Sequence, residues 1–332
     1  MKIFVGLSGG VDSAVAAHLL KEQGHTVVGA FIKGWEPDFL PCTGAEDRLS
    51  AMRVAAHLQI PFITVDLSDE YKRLVVDPFV DEYRKGRTPN PDVWCNRTIK
   101  FGAFWNQVKK RGADAIATGH YAGTDGKQLH VSNDETKDQT YFLWTLTQED
   151  LAHTHFPLGA LRKSKVRDIA KRIHLPNALR PDSQGLCFLG HVDMHAFLKR
   201  FIEPEDGPIL HDGVRVGTHD GVWYYTLGQH VSTNSSERLY VVSKDLGTNT
   251  LQVATKLTAT EPKSFYTLTT LNWVSGTPPV GTVEAQYRYH GSYVRAQVEG
   301  VSVTLDEPVL VAPGQSLVFY SNGVCLGGGT IE

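Results

Sequence analysis

The chain contains 332 residues, of which 41% are hydrophobic and 21% are charged, and its formal net charge is −3. This composition excludes disordered, collagen-like and disulfide-scaffold proteins, and no apolar run approaches the roughly 20 residues that span a bilayer. Because only four cysteines are present and no export-signal pattern follows Met1, we expect a cytoplasmic protein of two or three domains without a membrane partner.

The first 120 residues alternate short apolar runs with stretches of helical periodicity. Val11, Ala14 and Leu19 recur at helical spacing, and Gly24 follows them as a stop signal. Strands that alternate with helices form right-handed βαβ units, so we predict an α/β fold with a mostly parallel sheet. The predicted strands are Lys2–Leu7, Thr26–Ile32, Pro61–Asp66 and Ala113–Thr118, and further helices are predicted at Asp47–Leu58 and from about Ile99 to Arg111.

The pattern changes along the rest of the chain. We predict a hairpin at Gly126–Val131, helices at Ser164–Ile173 and Val192–Phe201, and an aperiodic loop at Leu175–Gly190. After Gly207, short Val-, Thr- and Tyr-rich runs separated by turn signals favour two small β-rich units. The predicted domains therefore span residues 1–205, 206–260 and 261–332.

The strongest local motif is the hexapeptide at residues 8–13, which lies between the first strand and the first helix. Its two glycines allow a tight turn with exposed amides, and the positive end of the helix points into the same space, so the motif predicts an anion site. Asp12 has the same sign of charge as phosphate and is expected to act through Mg²⁺. The loop is neither a Walker loop nor a dinucleotide-binding motif.

This hexapeptide, SGGVDS, resembles the pyrophosphatase loop of the N-type ATP pyrophosphatases. These enzymes adenylate a substrate oxygen and release pyrophosphate. The resemblance implies ATP and Mg²⁺ as cofactors and a parallel-sheet N-type ATP pyrophosphatase domain at the start of the chain. It leaves GMP synthetases, argininosuccinate synthetases and tRNA thiolases open.

Two cysteines lie in loop-like segments that contain further polar residues. Cys95 follows the proline-stiffened run NPDVW and has Arg97 and Lys100 nearby, which is expected to favour its thiolate. Cys187 lies in the aperiodic loop, and no C-x-x-C pattern indicates a metal site. Each cysteine alone is more often a buried inert thiol, but together they suggest a sulfur carrier and its resolving partner. Cys42 and Cys325 are interpreted as structural.

Several sequence blocks extend the resemblance over almost the whole chain. They resemble the tRNA-specific 2-thiouridylases, and the blocks are GRTPNPDVWCN, ATGHY, KDQTYFL, DSQGLCFLG, YYTLGQ and PGQSLVFY. The resemblance implies ATP-dependent 2-thiolation of the wobble uridine of tRNA, U34, through adenylation of the C2 oxygen and sulfur transfer from a cysteine persulfide, with release of AMP and pyrophosphate. It implies three partners, which are tRNA with uridine at that position, a persulfide sulfur donor protein and a thiol reductant. It also implies a central β-rich domain and a C-terminal, tRNA-contacting β-barrel.

The same resemblance implies roles for individual residues. Asp92 is the implied acid or base, Cys95 the nucleophile and Cys187 the persulfide carrier, and a transient Cys95–Cys187 disulfide closes the cycle. The implied ATP contacts are Gly6, Leu7, Ser8, Gly9, Gly10, Val11, Asp12, Ser13, Ile32 and Gly119. The implied tRNA contacts are Asn90, Pro91, Asp92, Lys137, Asp138, Gln139, Tyr287 and Arg288.

Some features depart from the family or leave alternatives open. Ile32 stands where methionine is usual, and the basic, glycine-rich segment after Gln229 is replaced by HVSTNS. The basic cluster at residues 162–172 favours RNA binding, and we expect the 180–190 loop to close onto the site when tRNA binds. Two other functions stay open, an amide-forming ligase of the same fold that acts on a small molecule and a non-catalytic RNA-binding relative.

Overall fold

The computed structural model describes residues 1–40, 44–182, 185, 187, 190, 192–233, 236–255 and 263–332. Its first sheet is parallel and has the strand order β3-β2-β1-β4-β7. This sheet confirms the predicted α/β class. Its strands are β1 (Lys2–Gly6), β2 (Thr26–Lys33), β3 (Phe62–Asp66), β4 (Ala115–Ala117) and β7 (Thr154–His155).

Helices flank this sheet. They are α1 (Val11–Glu22), α2 (Gly44–His57), α3 (Ser68–Tyr71), α4 (Asp77–Arg84), α5 (Pro91–Trp94), α6 (Phe104–Lys109), α7 (Gln148–Ala152), α8 (Lys163–Arg172) and α9 (Met194–Leu198). Short 3₁₀ turns lie at Thr140–Phe142 and Val222–Tyr224, and π-helical segments at Lys72–Val76 and Cys95–Ala103 join α3 to α4 and α5 to α6.

The helical run around Cys95 differs from the prediction. A helix was expected from about Ile99, but the run begins at Pro91, because Pro91 occupies its first position and the Asn90 side chain accepts a hydrogen bond from Asp92 N at 3.1 Å. Cys95 therefore lies inside the helical run and not just before it. The helical run from Ser68 to Arg84 had not been predicted.

A second sheet has the order β10-β11-β12-β8-β9 and lies between residues 207 and 254. Its small core contains Ile209, Val222, Leu239, Val241 and Leu251. This sheet and the barrel described next confirm the predicted β-rich character after Gly207. The strands are β8 (Gly207–His211), β9 (Val214–His219), β10 (His230–Val231), β11 (Leu239–Asp245) and β12 (Thr250–Ala254).

The third sheet closes into a barrel because β13 pairs with both β16 and β18. The predicted hairpin is present as β5 (Gly123–Thr124) and β6 (Leu129–His130), and it pairs with β18 of the barrel. The first part of the chain thus contributes strands to the last sheet. The barrel strands are β13 (Lys263–Trp273), β14 (Thr282–Gln286), β15 (Tyr293–Glu299), β16 (Ser302–Val309), β17 (Ser316–Ser321) and β18 (Val324–Ile331).

The barrel also packs directly against the parallel-sheet part of the chain. The Trp144 indole donates to Ser316 Oγ at 3.1 Å, and Asn272 Nδ2 donates to the carbonyl oxygens of Trp144 at 2.8 Å and Leu146 at 3.0 Å. Buried residues of both parts belong to one hydrophobic cluster. None of the helices in the described part of the chain is long and apolar enough to cross a membrane. The predicted domain limits near residues 205 and 260 stay predictions.

Candidate active site

The phosphate loop lies between β1 and α1, at the edge of the sheet where the strands end. Its two serines contact each other, since Ser8 Oγ and Ser13 Oγ are 3.3 Å apart and Ser8 N donates to Ser13 Oγ at 3.2 Å. Gly10 caps α1 and no side chain caps that helix. The first amides of α1 have no intrahelical acceptor, so the loop retains donors for an anion.

Gly9 must be glycine in this loop. Its φ angle is +81°, and a Cβ atom there would lie 2.5 Å from Asp47 O. Its carbonyl oxygen accepts hydrogen bonds from Ser50 Oγ at 2.8 Å and Asn177 Nδ2 at 2.9 Å. Because this oxygen is bonded inside the protein, the Gly9 carbonyl does not turn its partial negative charge toward an anionic ligand.

The residues implied to border the nucleotide meet at the ends of neighbouring strands. A Cβ at Gly6 would lie 4.0 Å from Ile32 Cδ1 and 3.8 Å from Ala117 O. A Cβ at Gly119 would lie 2.6 Å from Ser13 N, so Gly119 packs closely against the start of α1. The side chains of Leu7 and Val11 are buried in the core, which leaves only their backbone for ATP contact.

The Asp12 carboxylate is paired with other side chains of the site. Lys163 Nζ lies 2.7 Å and 2.8 Å from its two carboxylate oxygens, and Tyr121 OH donates to Asp12 Oδ1 at 3.0 Å. The same Lys163 Nζ lies 2.7 Å from Asp182 Oδ1. Lys163 therefore joins the phosphate loop to the start of the segment that contains Cys187.

Two further cations contact Asp182. Lys137 Nζ lies 3.1 Å and Arg167 Nη2 2.5 Å from its carboxylate. Burial opposes the ionised form, but hydrogen bonds from Lys163 and Lys137 lower the pKa of Asp182 to about 2. Lys163 and Arg167 of the predicted RNA-binding cluster thus have carboxylate partners within the protein.

Asp92 and Cys95 are positioned by the start of the helical run. The preceding Thr88 contacts the barrel, because Thr88 N donates to Pro313 O at 2.8 Å and Thr88 O accepts from Gln315 Nε2 at 2.5 Å. Thr88 Oγ1 also lies 3.0 Å from Thr226 Oγ1 of the YYTLGQ block. The segment that precedes Asp92 is therefore held by both β-rich parts of the chain.

The structure brings the two distant cysteines together. Cys187 N donates to Asp92 Oδ1 at 3.3 Å, and Tyr71 OH donates to Cys187 O at 2.6 Å. A hydrogen bond with Cys95 and burial raise the pKa of the Cys187 thiol well above its usual range. This hydrogen bond places the two thiols beside each other, and movement of the 180–190 loop onto the site when tRNA binds stays a prediction. Cys95 is fully buried.

Lys100 and His120 complete this cluster. Lys100 Nζ lies 3.5 Å from Cys187 Sγ and 3.4 Å from His120 Nε2, and His120 Nδ1 lies 2.7 Å from Thr118 Oγ1. An ammonium group only donates, so His120 Nε2 accepts and Nδ1 donates to Thr118. Burial and Lys100 hold the pKa of His120 well below its usual range. From the sequence, Lys100 was expected only to be a cation near Cys95, and its contact with Cys187 was not predicted.

Two of the three segments implied to contact tRNA lie side by side. The rings of Phe142 and Tyr289 are 4.4 Å apart, which places the KDQTYFL block beside the strand end that carries Tyr287 and Arg288. The Asp138 carboxylate accepts from Ser132 N and Thr140 Oγ1, and burial raises its pKa. The Gln139 side chain accepts from Tyr121 N. Contact of these residues with tRNA stays a prediction.

Of the remaining cysteines, Cys325 is fully buried in β18, as its structural interpretation requires, and Cys42 lies outside the described residues. Within the described part of the chain, no group of three or more His, Cys, Asp or Glu side chains forms a metal site. Asp12 is therefore a single carboxylate candidate for Mg²⁺.

Family models match three successive parts of the chain. A tRNA methyl transferase HUP domain matches residues 1–191, a tRNA methyl transferase PRC-barrel domain matches residues 195–255, and an aminomethyltransferase beta-barrel domain matches residues 263–331. The three models together follow the order of the parallel sheet, the small second sheet and the barrel.

Curated relatives match the chain from end to end. The tRNA-specific 2-thiouridylase MnmA of Janthinobacterium sp. (strain Marseille) is 42% identical over 371 residues, which cover 100% of this chain and 97% of the relative. The protein of the same name from Francisella tularensis subsp. novicida is 43% identical and covers 99% of both chains. The one from Bacillus subtilis is 42% identical, with coverage of 100% of this chain and 95% of the relative.

Proposed function

Because this chain belongs to the family of tRNA-specific 2-thiouridylases, we propose that it uses ATP and a cysteine persulfide to replace the C2 oxygen of the wobble uridine, U34, by sulfur. Family membership itself makes the chain a tRNA sulfurtransferase that thiolates uridine. A continuous series of contacts supports the added chemistry. It runs from the Cys187 thiol through Lys100 to His120, whose neighbour in the chain, Gly119, packs on Ser13 of the phosphate loop.

The first proposed step activates the base. Uracil C2 is a poor electrophile and its oxygen is a poor leaving group, so AMP is transferred from ATP to that oxygen and pyrophosphate is released. The free amides at the start of α1 stabilise the negative charge that accumulates on pyrophosphate. The serine hydroxyls of Ser8 and Ser13 supply further donors in the same loop.

The second step transfers sulfur. The outer sulfur of a Cys187 persulfide attacks C2, and the former C2 oxygen leaves as part of AMP. The Cys95 thiolate then attacks Cys187 Sγ, which breaks the bond between Cys187 and the transferred sulfur and leaves that sulfur on the base. A Cys95–Cys187 disulfide results, and a thiol reductant must reopen it. The contact between the two thiols supports this step.

Asp92 is the proposed acid or base for these steps. Asn90 and Pro91, which precede it in the chain, are proposed to contact the target base. Its carboxylate lies beside Cys187, from whose backbone amide it accepts a hydrogen bond at 3.3 Å. An unpaired base of an anticodon loop leaves its stack at a cost of only a few kcal/mol, so a base can enter such a site.

Asp12 fits Mg²⁺ as a ligand, with one condition. Mg²⁺ in phosphate sites usually takes one or two carboxylates and fills its remaining positions with phosphate oxygens and water. When bound, it neutralises phosphate charge. Asp12 holds it only when Lys163 gives up at least one of the two carboxylate oxygens that it contacts.

A tRNA thiolation assay tests the proposed function. The protein is incubated with ATP, Mg²⁺, glutathione persulfide and an unmodified tRNA that has uridine at the wobble position, and 2-thiouridine is measured by nucleoside mass spectrometry. We expect 2-thiouridine only when ATP is present, with pyrophosphate release that requires this tRNA. A tRNA with cytidine at the same position is the control.

The same assay separates the alternatives. Pyrophosphate release that is independent of tRNA and requires a small molecule would indicate the amide-forming ligase. Binding of tRNA without pyrophosphate release would indicate a non-catalytic RNA-binding protein. Either result contradicts the proposal.

Lys163 provides a second test at the phosphate end of the site. In Lys163→Met, the Asp12 and Asp182 carboxylates lose a shared cation, and they should then repel the phosphates of ATP. We expect the KM for ATP to rise about tenfold, since the loss of about 1.4 kcal/mol of binding corresponds to that factor. Pyrophosphate release at varied ATP concentration measures the change. Lys165→Met, an exposed lysine on the same helix, is the control, and an unchanged KM in Lys163→Met would contradict the assigned role.

A further inference from the structure

A lysine side chain contacts one of the two thiols of the sulfur site. Lys100 Nζ lies 3.5 Å from Cys187 Sγ, and Lys100 is partly buried. Lysine is seldom placed inside a protein unless a partner offsets the loss of hydration. The described groups that face this ammonium are the Asp92 carboxylate, the thiols of Cys95 and Cys187 and the neutral imidazole of His120, with the Tyr71 phenol also beside the thiols.

The local backbone explains how Lys100 reaches the sulfurs. Residues five apart in an α-helix point about 140° away from each other, because each residue turns the helix by about 100°. The Cys95–Ala103 segment is π-helical, and Phe104 N donates to Ile99 O, five residues earlier. This wider turn brings residues five apart onto nearly the same face. Cys95 and Lys100 therefore both face the sulfur site.

The charge of Lys100 is maintained in this environment. Burial acts to lower the pKa of Lys100, but attraction to Cys187, Cys95 and Asp92 outweighs burial and raises it. The neutral His120 accepts from Lys100 and cannot compete with it as a second cation. Among the described residues, the Lys100 ammonium is the only positive charge in contact with Cys187 Sγ, and it opposes the Cys95 hydrogen bond and the burial that raise the pKa of this thiol.

We propose that Lys100 is a catalytic residue of the sulfur-transfer half-reaction, in which its ammonium stabilises the negative sulfur of Cys187 before and after sulfur is loaded. This role rests on the proposed function. In loading, the Cys187 thiolate attacks the outer sulfur of a persulfide donor, R–S–SH. A bond forms between Cys187 Sγ and that sulfur, the S–S bond of the donor breaks, and the donor leaves as the thiolate R–S⁻. The product, Cys187–S–SH, loses its proton to the released thiolate R–S⁻, which becomes R–SH, and is then the nucleophilic persulfide anion.

Alkylation of Cys187 tests this role without tRNA or ATP. Iodoacetamide reacts with the thiolate, and the modified Cys187 peptide is quantified by mass spectrometry between about pH 7 and about pH 9. In Lys100→Gln, which keeps a donor for His120 but removes the charge, we expect the rate to fall about tenfold at each pH. Lys100→Arg keeps the charge and should restore most of the rate.

A buried lysine elsewhere in the chain provides the matched control. Lys244 donates to Tyr225 O at 2.7 Å, and burial lowers its pKa to about 8. Lys244→Gln removes a partly buried lysine that makes no described contact with a thiol, so it should leave the alkylation of Cys187 unchanged. A folded Lys100→Gln variant that reacts at the wild-type rate would overturn the proposal.

A second measurement requires no substitution. A cation beside Cys187 favours the anionic reagent iodoacetate over the neutral iodoacetamide. We expect the ratio of the two rates at Cys187 to exceed the ratio for glutathione severalfold, and a ratio no higher than that of glutathione would overturn the proposal even if Lys100→Gln did not fold. If the reactivity follows Lys100 but tRNA is not thiolated, the proposed function fails and the assignment of Lys100 to Cys187 stands.

Discussion

The Cys187→Ser variant is expected to lose tRNA thiolation by about three orders of magnitude or more, because a hydroxyl cannot carry a persulfide sulfur. The Cys95→Ser variant should lose turnover to a similar extent but at a later step, after sulfur has been loaded on Cys187. With a donor labelled in its outer sulfur, label should remain on the Cys95→Ser protein. The Cys187→Ser protein should not take up label that can be transferred to tRNA. The label found on the protein measures sulfur loading, and the label found on tRNA measures sulfur transfer.

A third cysteine controls for the loss of a thiol as such. Cys325 is fully buried in β18 and does not belong to the sulfur site, so Cys325→Ala should still transfer label to tRNA. Undiminished thiolation in a variant that lacks both Cys95 and Cys187 would contradict the persulfide route. Adenylation should continue in both single variants, since the phosphate loop is unchanged, and tRNA-dependent pyrophosphate release verifies that the proteins are folded.

The Gly119→Ala variant is expected to bind ATP about five- to 150-fold more weakly, because added atoms in a closely packed site typically cost about 1–3 kcal/mol. A Cβ at this position would lie 2.6 Å from Ser13 N and 2.9 Å from Asp12 C. These are backbone atoms, so the clash can be relieved only if the start of α1 moves. That movement would displace the amides that we propose to bind phosphate. Isothermal titration with ATP measures the loss.

A glycine in an open turn provides the matched substitution. Gly247 has its nearest neighbour, Asp245 Oδ1, at 3.5 Å from the position of an added Cβ, which is an ordinary contact. Gly247→Ala should therefore bind ATP like the wild type. Wild-type ATP affinity in a Gly119→Ala protein with an unchanged melting temperature would contradict the placement of the nucleotide beside Gly119.

Local patterns in the sequence determined most of the parallel sheet. The first strand, the first helix and the second strand were predicted to within a residue or two, because buried parallel strands form short continuous apolar runs and the helix shows a period of 3.6 residues, and both patterns can be read without tertiary information. The helical run from Pro91 to Lys109 was predicted too short. Its π-helical centre interrupts the 3.6-residue period, so the pattern identified only its second half.

Part of the candidate site could also be predicted from short stretches of sequence. The phosphate loop could be identified from six adjacent residues, because a tight turn and a helix start are sufficient to create an anion site. Cys95 and Cys187 could be identified as candidates from their segments. The three cations Lys137, Lys163 and Arg167 could be counted, but their pairing with Asp12 and Asp182 could not be predicted, because these partners are far apart in the chain.

What the sequence by itself determined is therefore the set of chemical groups and the class of fold that presents them. The tertiary structure alone decided that Cys187 lies against Cys95, that Lys100 contacts its sulfur, and that both β-rich parts hold Thr88 ahead of Asp92. The physical reason is that these contacts join residues separated by long stretches of chain. Their formation depends on how helices and sheets pack, and no local period or propensity encodes that packing.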